Sequence, residues 1–219
     1  MYLILLGLPG AGKGTQAVMI CQETGLVHIT TGELFRESIR QETELGRKAK
    51  PFVEQGLLVP DELTVGMLLD RIARPDAAKG FALDGFPRNL DQAKALDEAL
   101  AREGKAIDKT IYIKVPTEEL VRRLSGRWNC RQCGAVYHEQ SMPPKQQGVC
   151  DRCGGQLYQR EDDRPDVVRT RLDVNLKQTE PLLEHYRRDG KLVEVDGGLE
   201  VDQVKEQLLA AMGRPREVR

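Results

Sequence analysis

A glycine-rich loop with one lysine near the amino terminus has the composition of a phosphate-binding site. Residues 7–15 read Gly-Leu-Pro-Gly-Ala-Gly-Lys-Gly-Thr. Glycines allow backbone N–H groups to close around phosphate oxygens, and a helix that begins here adds the positive end of its dipole. Lys13 would supply a point charge for the β and γ oxygens. Because Gly14 follows the lysine where a serine or threonine is usual, Thr15 is the nearest hydroxyl that could bind Mg²⁺.

The segments on either side of this loop predict the elements that a phosphate-binding loop needs. Residues 2–6 form a continuous apolar run, which is typical of a buried parallel strand. A helical pattern follows the loop through Val18, Met19 and Gln22. An ordinary glycine-rich turn is the alternative. The order of strand, loop and helix favours the phosphate-binding loop.

A second chemical candidate is Asp84, which ends the apolar run at residues 80–83. An aspartate at the carboxyl end of a parallel strand, beside a phosphate-binding loop, has the form of a Walker B residue that holds Mg²⁺ directly or through water. Taken alone, such an aspartate could equally cap a helix or a turn. The loop at residues 7–15 favours the metal-binding interpretation.

Four of the five cysteines form two C-x-x-C pairs, which 16 residues separate, a spacing typical of a structural zinc site. A closed site of four thiolates leaves no open position for chemistry, so we assign the metal a folding role. We expect Trp128 and Tyr137 to pack around it, and Cys21 to be a small buried apolar residue. The predicted ligands are Cys130, Cys133, Cys150 and Cys153.

The composition argues against several classes of protein. Among 219 residues, 33 basic and 34 acidic side chains give a net charge of -1, so no global field attracts nucleic acid or anionic lipid. No apolar run approaches the roughly 20 residues of a membrane span, and we expect no signal peptide. We therefore expect a cytoplasmic protein, and in a reducing compartment paired cysteines favour metal over disulfides.

Strands that alternate with helices predict an α/β fold built on a doubly wound, parallel five-stranded sheet. Two polar insertions leave this core and return to it. A Thr-x-x-Glu-like spacing from Thr30 to Glu33 predicts a capped helix start. The predicted strands lie at residues 2–6, 26–29, 80–84, 110–115 and 191–195.

The last third of the chain predicts a long helix, a strand and a terminal helix. One apolar stripe of the long helix is predicted to comprise Val167, Val168, Leu172, Leu176 and Leu183. Residues 213–219 have proline and charges without a pattern, and we expect this tail to fray.

Six arginines near the ends of elements or the borders of the insertions suggest phosphate recognition. Any one of them taken alone would be interpreted as a solvated surface charge. Their grouping around a phosphate-binding fold favours the functional interpretation, since guanidinium groups bind phosphate through two hydrogen bonds and stay charged. His28 is interpreted as structural, because no carboxylate or nucleophile neighbours it in the sequence. The arginines are Arg36, Arg88, Arg123, Arg127, Arg160 and Arg171.

Several stretches, taken in order, resemble the adenylate kinase family in its long bacterial form with a zinc-bearing lid. They are the loop at 7–15, Thr-Thr-Gly-Glu-Leu-Phe-Arg at 30–36, Leu-Asp-Gly-Phe-Pro-Arg-Asn at 83–89, Gly126-Arg127, Arg-Glu-Asp-Asp-Arg at 160–164 and Asp196-Gly197. The resemblance covers nearly the whole chain, and Gly14 itself fits the family.

The resemblance implies reversible, Mg²⁺-dependent transfer of the terminal phosphoryl group of ATP to AMP, which gives two ADP without a covalent intermediate and maintains the balance of adenine nucleotides. It implies a P-loop core of residues 1–29, 60–125 and 164–219 with two inserted mobile lobes. Residues 30–59 would bind AMP, and residues 126–163 would form a lid with a structural Zn²⁺. Both lobes would close to exclude water. We also expect a monomer.

The resemblance implies a role for each matching residue. Catalysis would involve Lys13, Asp84, Arg88, Arg123, Arg127, Arg160 and Arg171. ATP would contact Gly10, Ala11, Gly12, Lys13, Gly14, Thr15, Arg127, Val136, Tyr137 and Leu199. AMP would contact Thr31, Arg36, Leu57, Leu58, Val59, Gly85, Phe86, Pro87, Arg88, Gln92, Arg160 and Arg171.

Three other interpretations stay open at this point. A kinase for another nucleoside monophosphate would share the fold and the mechanism, although Thr31 and Gln92 favour adenine by family resemblance. A zinc-ribbon nucleic-acid-binding module fused to an NTPase is disfavoured by the near-neutral charge and by the lack of a basic, aromatic-interleaved patch beyond residues 126–163. A purely structural zinc protein leaves the loop and Asp84 unexplained.

Overall fold

A computed structural model describes residues 1–213, without the side chains of Pro165 and Asp166, so the tail from residue 214 to 219 lies outside the described residues. Its centre is a parallel five-stranded sheet, which confirms the predicted fold class. Its strands are β1 (Tyr2–Leu6), β2 (Val27–Thr30), β3 (Phe81–Asp84), β4 (Lys109–Lys114) and β8 (Leu192–Asp196). Their order across the sheet is β2-β3-β1-β4-β8.

The helices lie between and beyond these strands, as the periodicities predict. Short 3-10 helices at Pro75–Lys79 and Glu161–Asp163 join some of them. The α-helices are α1 (Lys13–Thr24), α2 (Thr31–Arg40), α3 (Glu44–Glu54), α4 (Asp61–Ile72), α5 (Leu90–Arg102), α6 (Thr117–Ser125), α7 (Pro165–Arg188) and α8 (Val201–Ala211).

Both faces of the central sheet are covered, which makes it doubly wound. In β1, Leu3 and Leu5 belong to one buried cluster, while Ile4 and Leu6 belong to a second. The first cluster includes side chains of α1, α6 and α8, and the second includes side chains of α4 and α5. Since successive residues of a strand point to opposite faces, a strand buried on both faces must be apolar throughout, as β1 is.

The first insertion holds α2 and α3 in close contact around a small cluster of Phe35, Ala49 and Val59. A Cβ atom added at Gly46 would lie only 2.0 Å from the backbone oxygen of Ser38, so a glycine is required where the helices cross. The first insertion is therefore a small helical lobe.

The second insertion contains a three-stranded antiparallel sheet of β5 (Arg127–Cys130), β6 (Val136–His138) and β7 (Leu157–Tyr158). Tyr137 is buried beside the cysteines, as predicted. Trp128 lies opposite Tyr137 in the pairing of β5 with β6, is 36% exposed and is not part of that buried cluster.

Two details of the helices differ from the predictions. Helix α2 begins where predicted, but Thr30 makes no side-chain capping bond, and the Thr31 hydroxyl donates to the backbone oxygen of Gly85 at 2.8 Å. In α7, Leu176 is 54% exposed and does not continue the apolar stripe. Across residues 1–213, none of the helices combines the length and apolar character that a membrane crossing needs.

Candidate active site

The glycine-rich loop lies between β1 and α1 and turns through backbone conformations that favour glycine. Gly10 and Gly12 have φ angles of 87° and 88°, in the left-handed region. A Cβ atom at Gly10 would also lie 3.0 Å from Cγ of Leu124. The ammonium group of Lys13 donates to the backbone oxygens of Gly7 and Leu8 at 2.8 and 3.1 Å. The loop thus carries one cation next to the amino end of a helix, where anions are favoured.

The sheet register places Asp84 beside this loop. Asp84 pairs with Leu5 of β1 and with Thr30 of β2, at the carboxyl ends of three neighbouring strands. A Cβ atom at Gly14 would lie 3.3 Å from Oδ2 of Asp84, so glycine at this position lets α1 approach the carboxylate closely. This approach gives a physical reason for the missing hydroxyl after Lys13.

Asp84 also lies near His28, a neighbour that the sequence did not reveal. The pairing of β2 with β3 leaves Nε2 of His28 3.6 Å from Oδ2 of Asp84. Burial would raise the pKa of Asp84, but the neighbouring His28 and Lys13 lower it overall. Asp84 is therefore an anion that is available for cation binding at neutral pH.

Lys13 lies among other cations. Burial lowers the pKa of Lys13 to about 8, and the charges of Arg88, Arg171 and Arg127 act in the same direction, while Asp84 opposes them. Like charges of this density are unfavourable unless an anion lies between them. The arrangement has the electrostatics of a site for a polyphosphate.

Asp163 holds two of these arginines. Its carboxylate is fully buried and accepts from Nε of Arg127 at 2.8 Å, from Nη2 of Arg127 and from Nη1 of Arg171 at 2.8 Å. Arg171 also donates to the backbone oxygen of Asp162 at 2.6 Å. Burial alone would lower the pKa of Arg127, but Asp163 raises it. Arg160 was the predicted contribution of the Arg-Glu-Asp-Asp-Arg stretch, whereas Asp162 and Asp163 were assigned no role.

Three further arginines border the same region. Nε of Arg88 donates to the backbone oxygen of Gly85 at 2.8 Å, and Nη2 of Arg160 donates to Oδ1 of Asn129 at 2.8 Å. Burial lowers the pKa of Arg88 to about 10 and the pKa of Arg160 to about 9, helped by nearby arginines. Burial also lowers the pKa of Arg36. Together with Lys13, Arg127 and Arg171, these side chains form what we call the cationic cluster.

Arg123 is separate from the cationic cluster. Its Nε donates to Oε1 of Glu119 at 2.7 Å, one turn earlier in α6. It is not among the main charges that shift the pKa values of Lys13, Arg88 or Arg160. Of the six predicted arginines, the structure therefore brings five together.

A cavity beside the cationic cluster lies between the first insertion and the core. Eight of the twelve residues that the resemblance implies for AMP line it, and Gly85, Phe86, Pro87 and Arg160 do not. Asp162, Thr64 and Phe35 line it too. Phe35 and Asp162 lie in stretches that carry the family resemblance but were assigned no role, and no local pattern marks Thr64. The eight residues are Thr31, Arg36, Leu57, Leu58, Val59, Arg88, Gln92 and Arg171.

The remaining residues implied for ATP lie in β6 of the second insertion and in the loop before α8. Val136 and Leu199 are each 38% exposed. Tyr137 is buried, with its hydroxyl 3.4 Å from Sγ of Cys150, and it accepts from the backbone N–H of Asp151 at 2.7 Å. The Tyr137 side chain therefore supports the cysteine cluster.

The four paired cysteines converge in space. Their sulfur atoms all lie within 4.8 Å of one another, with 3.4 Å between Cys130 and Cys153 and 3.6 Å between Cys133 and Cys150. A tetrahedral zinc ion with Zn–S bonds of about 2.3 Å places its sulfurs about 3.8 Å apart. The donor set and its spacing therefore fit such an ion.

Comparison with known proteins agrees with this arrangement of loop, arginines and cysteines. The sequence profile of the family described as "Adenylate kinase" matches residues 5–191. The chain belongs to the adenylate kinase family. Relatives carrying that name include proteins of Lysinibacillus sphaericus, 51% identical over 99% of this chain and 100% of the relative, and of Enterococcus faecalis, 53% identical over 93% of this chain and 95% of the relative.

A third adenylate kinase, of Carboxydothermus hydrogenoformans, is 52% identical over 93% of this chain and 95% of the relative. The identity extends across both insertions, since these alignments cover nearly the full length of each protein. The protein is therefore an enzyme of the adenylate kinase family, a group of phosphotransferases.

Proposed function

We propose that the protein transfers the terminal phosphoryl group of Mg-ATP to AMP, reversibly, to give two ADP. The observation that carries this proposal is the cationic cluster, which joins the glycine-rich loop to the cavity of the first insertion. Phosphoryl transfer needs two phosphates aligned and their negative charges neutralised, with little covalent help from the protein. Such a cluster between two nucleotide sites meets that need.

In this proposal the glycine-rich loop holds the ATP phosphates, and Lys13 follows the transferred group. Arg36 and Arg88 bind the AMP phosphate, while Arg127 and Arg171, held by Asp163, neutralise the transferring group. Asp84 would hold Mg²⁺ through its water shell, and the ion would supply charge neutralisation between the phosphates. Arg160 and Arg123 complete the set, and Arg123 would have to leave Glu119 to reach the phosphates.

The two insertions would serve as lids on this site. We propose that residues 30–59 bind AMP and that residues 126–163 cover ATP. Val136, Tyr137 and Leu199 would contact the ATP molecule. The core comprises residues 1–29, 60–125 and 164–219. Closure would exclude water, which would otherwise accept the phosphoryl group. By family resemblance, we propose a cytoplasmic monomer that binds neither nucleic acid nor membranes.

The test of this proposal is nucleoside diphosphate formation from Mg-ATP with AMP, GMP, CMP and UMP in parallel. We expect a strong preference for AMP. Preference for another acceptor would keep the mechanism and overturn the substrate. Absence of transfer to all four, with ATP still bound, would contradict phosphoryl transfer and revive the nucleic-acid alternative.

We also propose that the four-cysteine site binds a structural Zn²⁺ and that its removal lowers the melting temperature. The second insertion has a small apolar cluster, so metal binding contributes much of its folding free energy. Chelation under reducing conditions is expected to lower the melting temperature by at least about 5 °C. The measurement is calorimetry together with metal analysis.

The matched control for chelation uses cysteines inside and outside the cluster. A Cys133→Ser/Cys153→Ser variant should have a lowered melting temperature that chelator does not change further. Chelator should lower the melting temperature of Cys21→Ala as much as that of the parent protein, since Cys21 lies in the core of the main domain. An unchanged melting temperature for a verified metal-free sample would contradict a stabilising metal.

The low pKa of Lys13 predicts proton uptake when ATP binds under alkaline conditions. Lys13 has a pKa of about 8 in the free protein, so near pH 9 it is mostly neutral. Phosphate oxygens favour its charged form, and binding should therefore take up close to one proton near pH 9. Calorimetric titrations in two buffers of different ionisation enthalpy measure this number. Uptake no greater near pH 9 than near pH 7 would contradict the prediction.

The lowered pKa of Lys13 also makes the free energy of unfolding depend on pH. Between about pH 8 and pH 10.5 the unfolded chain holds the Lys13 proton and the folded protein does not. The contribution of Lys13 to the free energy of unfolding therefore rises with pH across this window. Below about pH 8 Lys13 is charged in both states, and the net cost of burying its charge, which Asp84 reduces, is fully present.

A further inference from the structure

The side-chain amide of Gln92 is held at both ends. Its Nε2 donates to Oδ1 of Asp61 at 2.7 Å, and its Oε1 accepts from the backbone N–H of Arg88 at 2.8 Å. A carboxylate can only accept and a backbone N–H can only donate, so these partners determine which end of the amide is nitrogen. Gln92 is 1% exposed and lines the cavity, so its orientation is set before any ligand arrives.

Asp61 is itself fixed by a second amide. Nδ2 of Asn89 donates to both carboxylate oxygens of Asp61 at 2.9 Å, and Oδ1 of Asn89 accepts from the backbone N–H of Gln92 at 2.9 Å. The first residue of α4 and the amino end of α5 are thereby joined. This network places Asp61 behind Gln92 as its support.

After these bonds, the Gln92 amide keeps one N–H and one oxygen lone pair for a ligand. Adenine presents an acceptor at N1 and a donor at the 6-amino group, which matches that pair. Hypoxanthine and guanine present a donor at N1 and an acceptor at O6, so they match only an amide turned by 180°. A turned amide would set its oxygen against the Asp61 carboxylate and its nitrogen against the Arg88 N–H.

We propose that Asp61 is a positioning residue which, by locking the Gln92 amide, makes the acceptor cavity reject 6-oxopurine nucleotides. The inference rests on the proposed function, since it assumes that the acceptor base reaches Gln92. Asp61 acts through the amide and touches no phosphate group. Its effect therefore falls on the choice of acceptor base and leaves the transfer step alone.

The test compares AMP with IMP as acceptors for Mg-ATP. IMP differs from AMP only in the reversed donor and acceptor pattern at positions 1 and 6, so it isolates the amide orientation. In Asp61→Asn, the new amide can present either a donor or an acceptor to Gln92, so a turned Gln92 amide no longer meets a carboxylate and is opposed by the Arg88 N–H alone. The matched control is Glu62→Gln, which removes the neighbouring acidic charge from the first turn of α4.

We expect the ratio of kcat/KM for AMP to that for IMP to fall at least about tenfold in Asp61→Asn, mainly through the acceptor KM. Glu62→Gln should keep the ratio within about twofold. A variant that only disturbed the structure would lower kcat/KM for AMP and for IMP alike, so their ratio would stay the same. Asp61→Ser, whose hydroxyl can also donate or accept, should shift the ratio in the same direction and serves if the asparagine variant does not fold.

An unchanged ratio in folded Asp61 variants, with AMP still phosphorylated by the unaltered protein, would overturn the lock and leave the proposed function standing. If the unaltered protein transferred no phosphate to AMP, the proposed function would fail, and the lock with it. A tenfold loss of the ratio in Glu62→Gln as well would assign the effect to helix charge and would also overturn the lock.

Discussion

Replacing Lys13 by methionine is expected to lower kcat about a thousandfold, with the fold retained. Lys13 is the only basic residue of the glycine-rich loop, and methionine keeps its unbranched stem without the charge. The loop should survive, because its shape depends on backbone bonds such as the one from the Ala11 N–H to the Leu8 oxygen at 3.1 Å. The measurement is steady-state kcat and KM for Mg-ATP, with circular dichroism as a check on folding.

The matched control is Lys105→Met. Lys105 pairs with Glu103 at 2.6 Å. It lies just before β4, at the amino ends of the strands, whereas the glycine-rich loop lies at their carboxyl ends. Its replacement should leave kcat within about twofold. A Lys13→Met protein that retained more than about a tenth of the parent kcat would show that the transferred group is neutralised without this lysine.

Replacing Asp163 by asparagine is expected to lower the free energy of unfolding by about 3–5 kcal/mol. The change keeps the shape of the side chain and removes a buried charge that Arg127 and Arg171 share. It also turns one oxygen into a donor that faces a guanidinium donor. Since both arginines lose their anchor, kcat should fall at least about tenfold. Urea unfolding at constant m-value measures the first effect.

Glu161→Gln is the control for Asp163→Asn. Glu161 is two residues away, 72% exposed, and lies 3.7 Å from Arg164. An exposed pair of this kind contributes little, so the control should change the free energy of unfolding by less than about 0.5 kcal/mol. Equal urea midpoints for Asp163→Asn and the parent protein would mean that Asp162 alone suffices to hold the two arginines.

The parts of the site that local pattern determines could be predicted from the sequence. The apolar run at 2–6, the glycines after it and the apolar run before Asp84 are contiguous signals, and the strand rules place their carboxyl ends together. The cysteine spacing likewise predicts convergence, which the structure confirms. Each of these patterns spans no more than about two dozen consecutive residues, so it can be recognised without knowing which distant residues the fold brings together.

Features that depend on distant partners could not be predicted. Asp163 and Asp61 are each one acid among many in the sequence, and only the fold brings Arg127 or Gln92 to them. Leu176 matches the helical period but is exposed, because α7 leaves one buried cluster after Leu172 and joins the other at Leu182. The strands of the second insertion are two to four residues long, too short to show alternation.

The cationic cluster gathers six basic side chains against the three carboxylates of Asp84, Asp162 and Asp163. An excess of buried positive charge makes nucleotide a partner in folding as well as a reactant, since phosphates bind the folded chain and not the unfolded one. At a nucleotide concentration a hundred times the Kd, this linkage adds about 2.7 kcal/mol to the free energy of unfolding. Resistance of the protein to proteolysis would then rise and fall with the nucleotide supply around it.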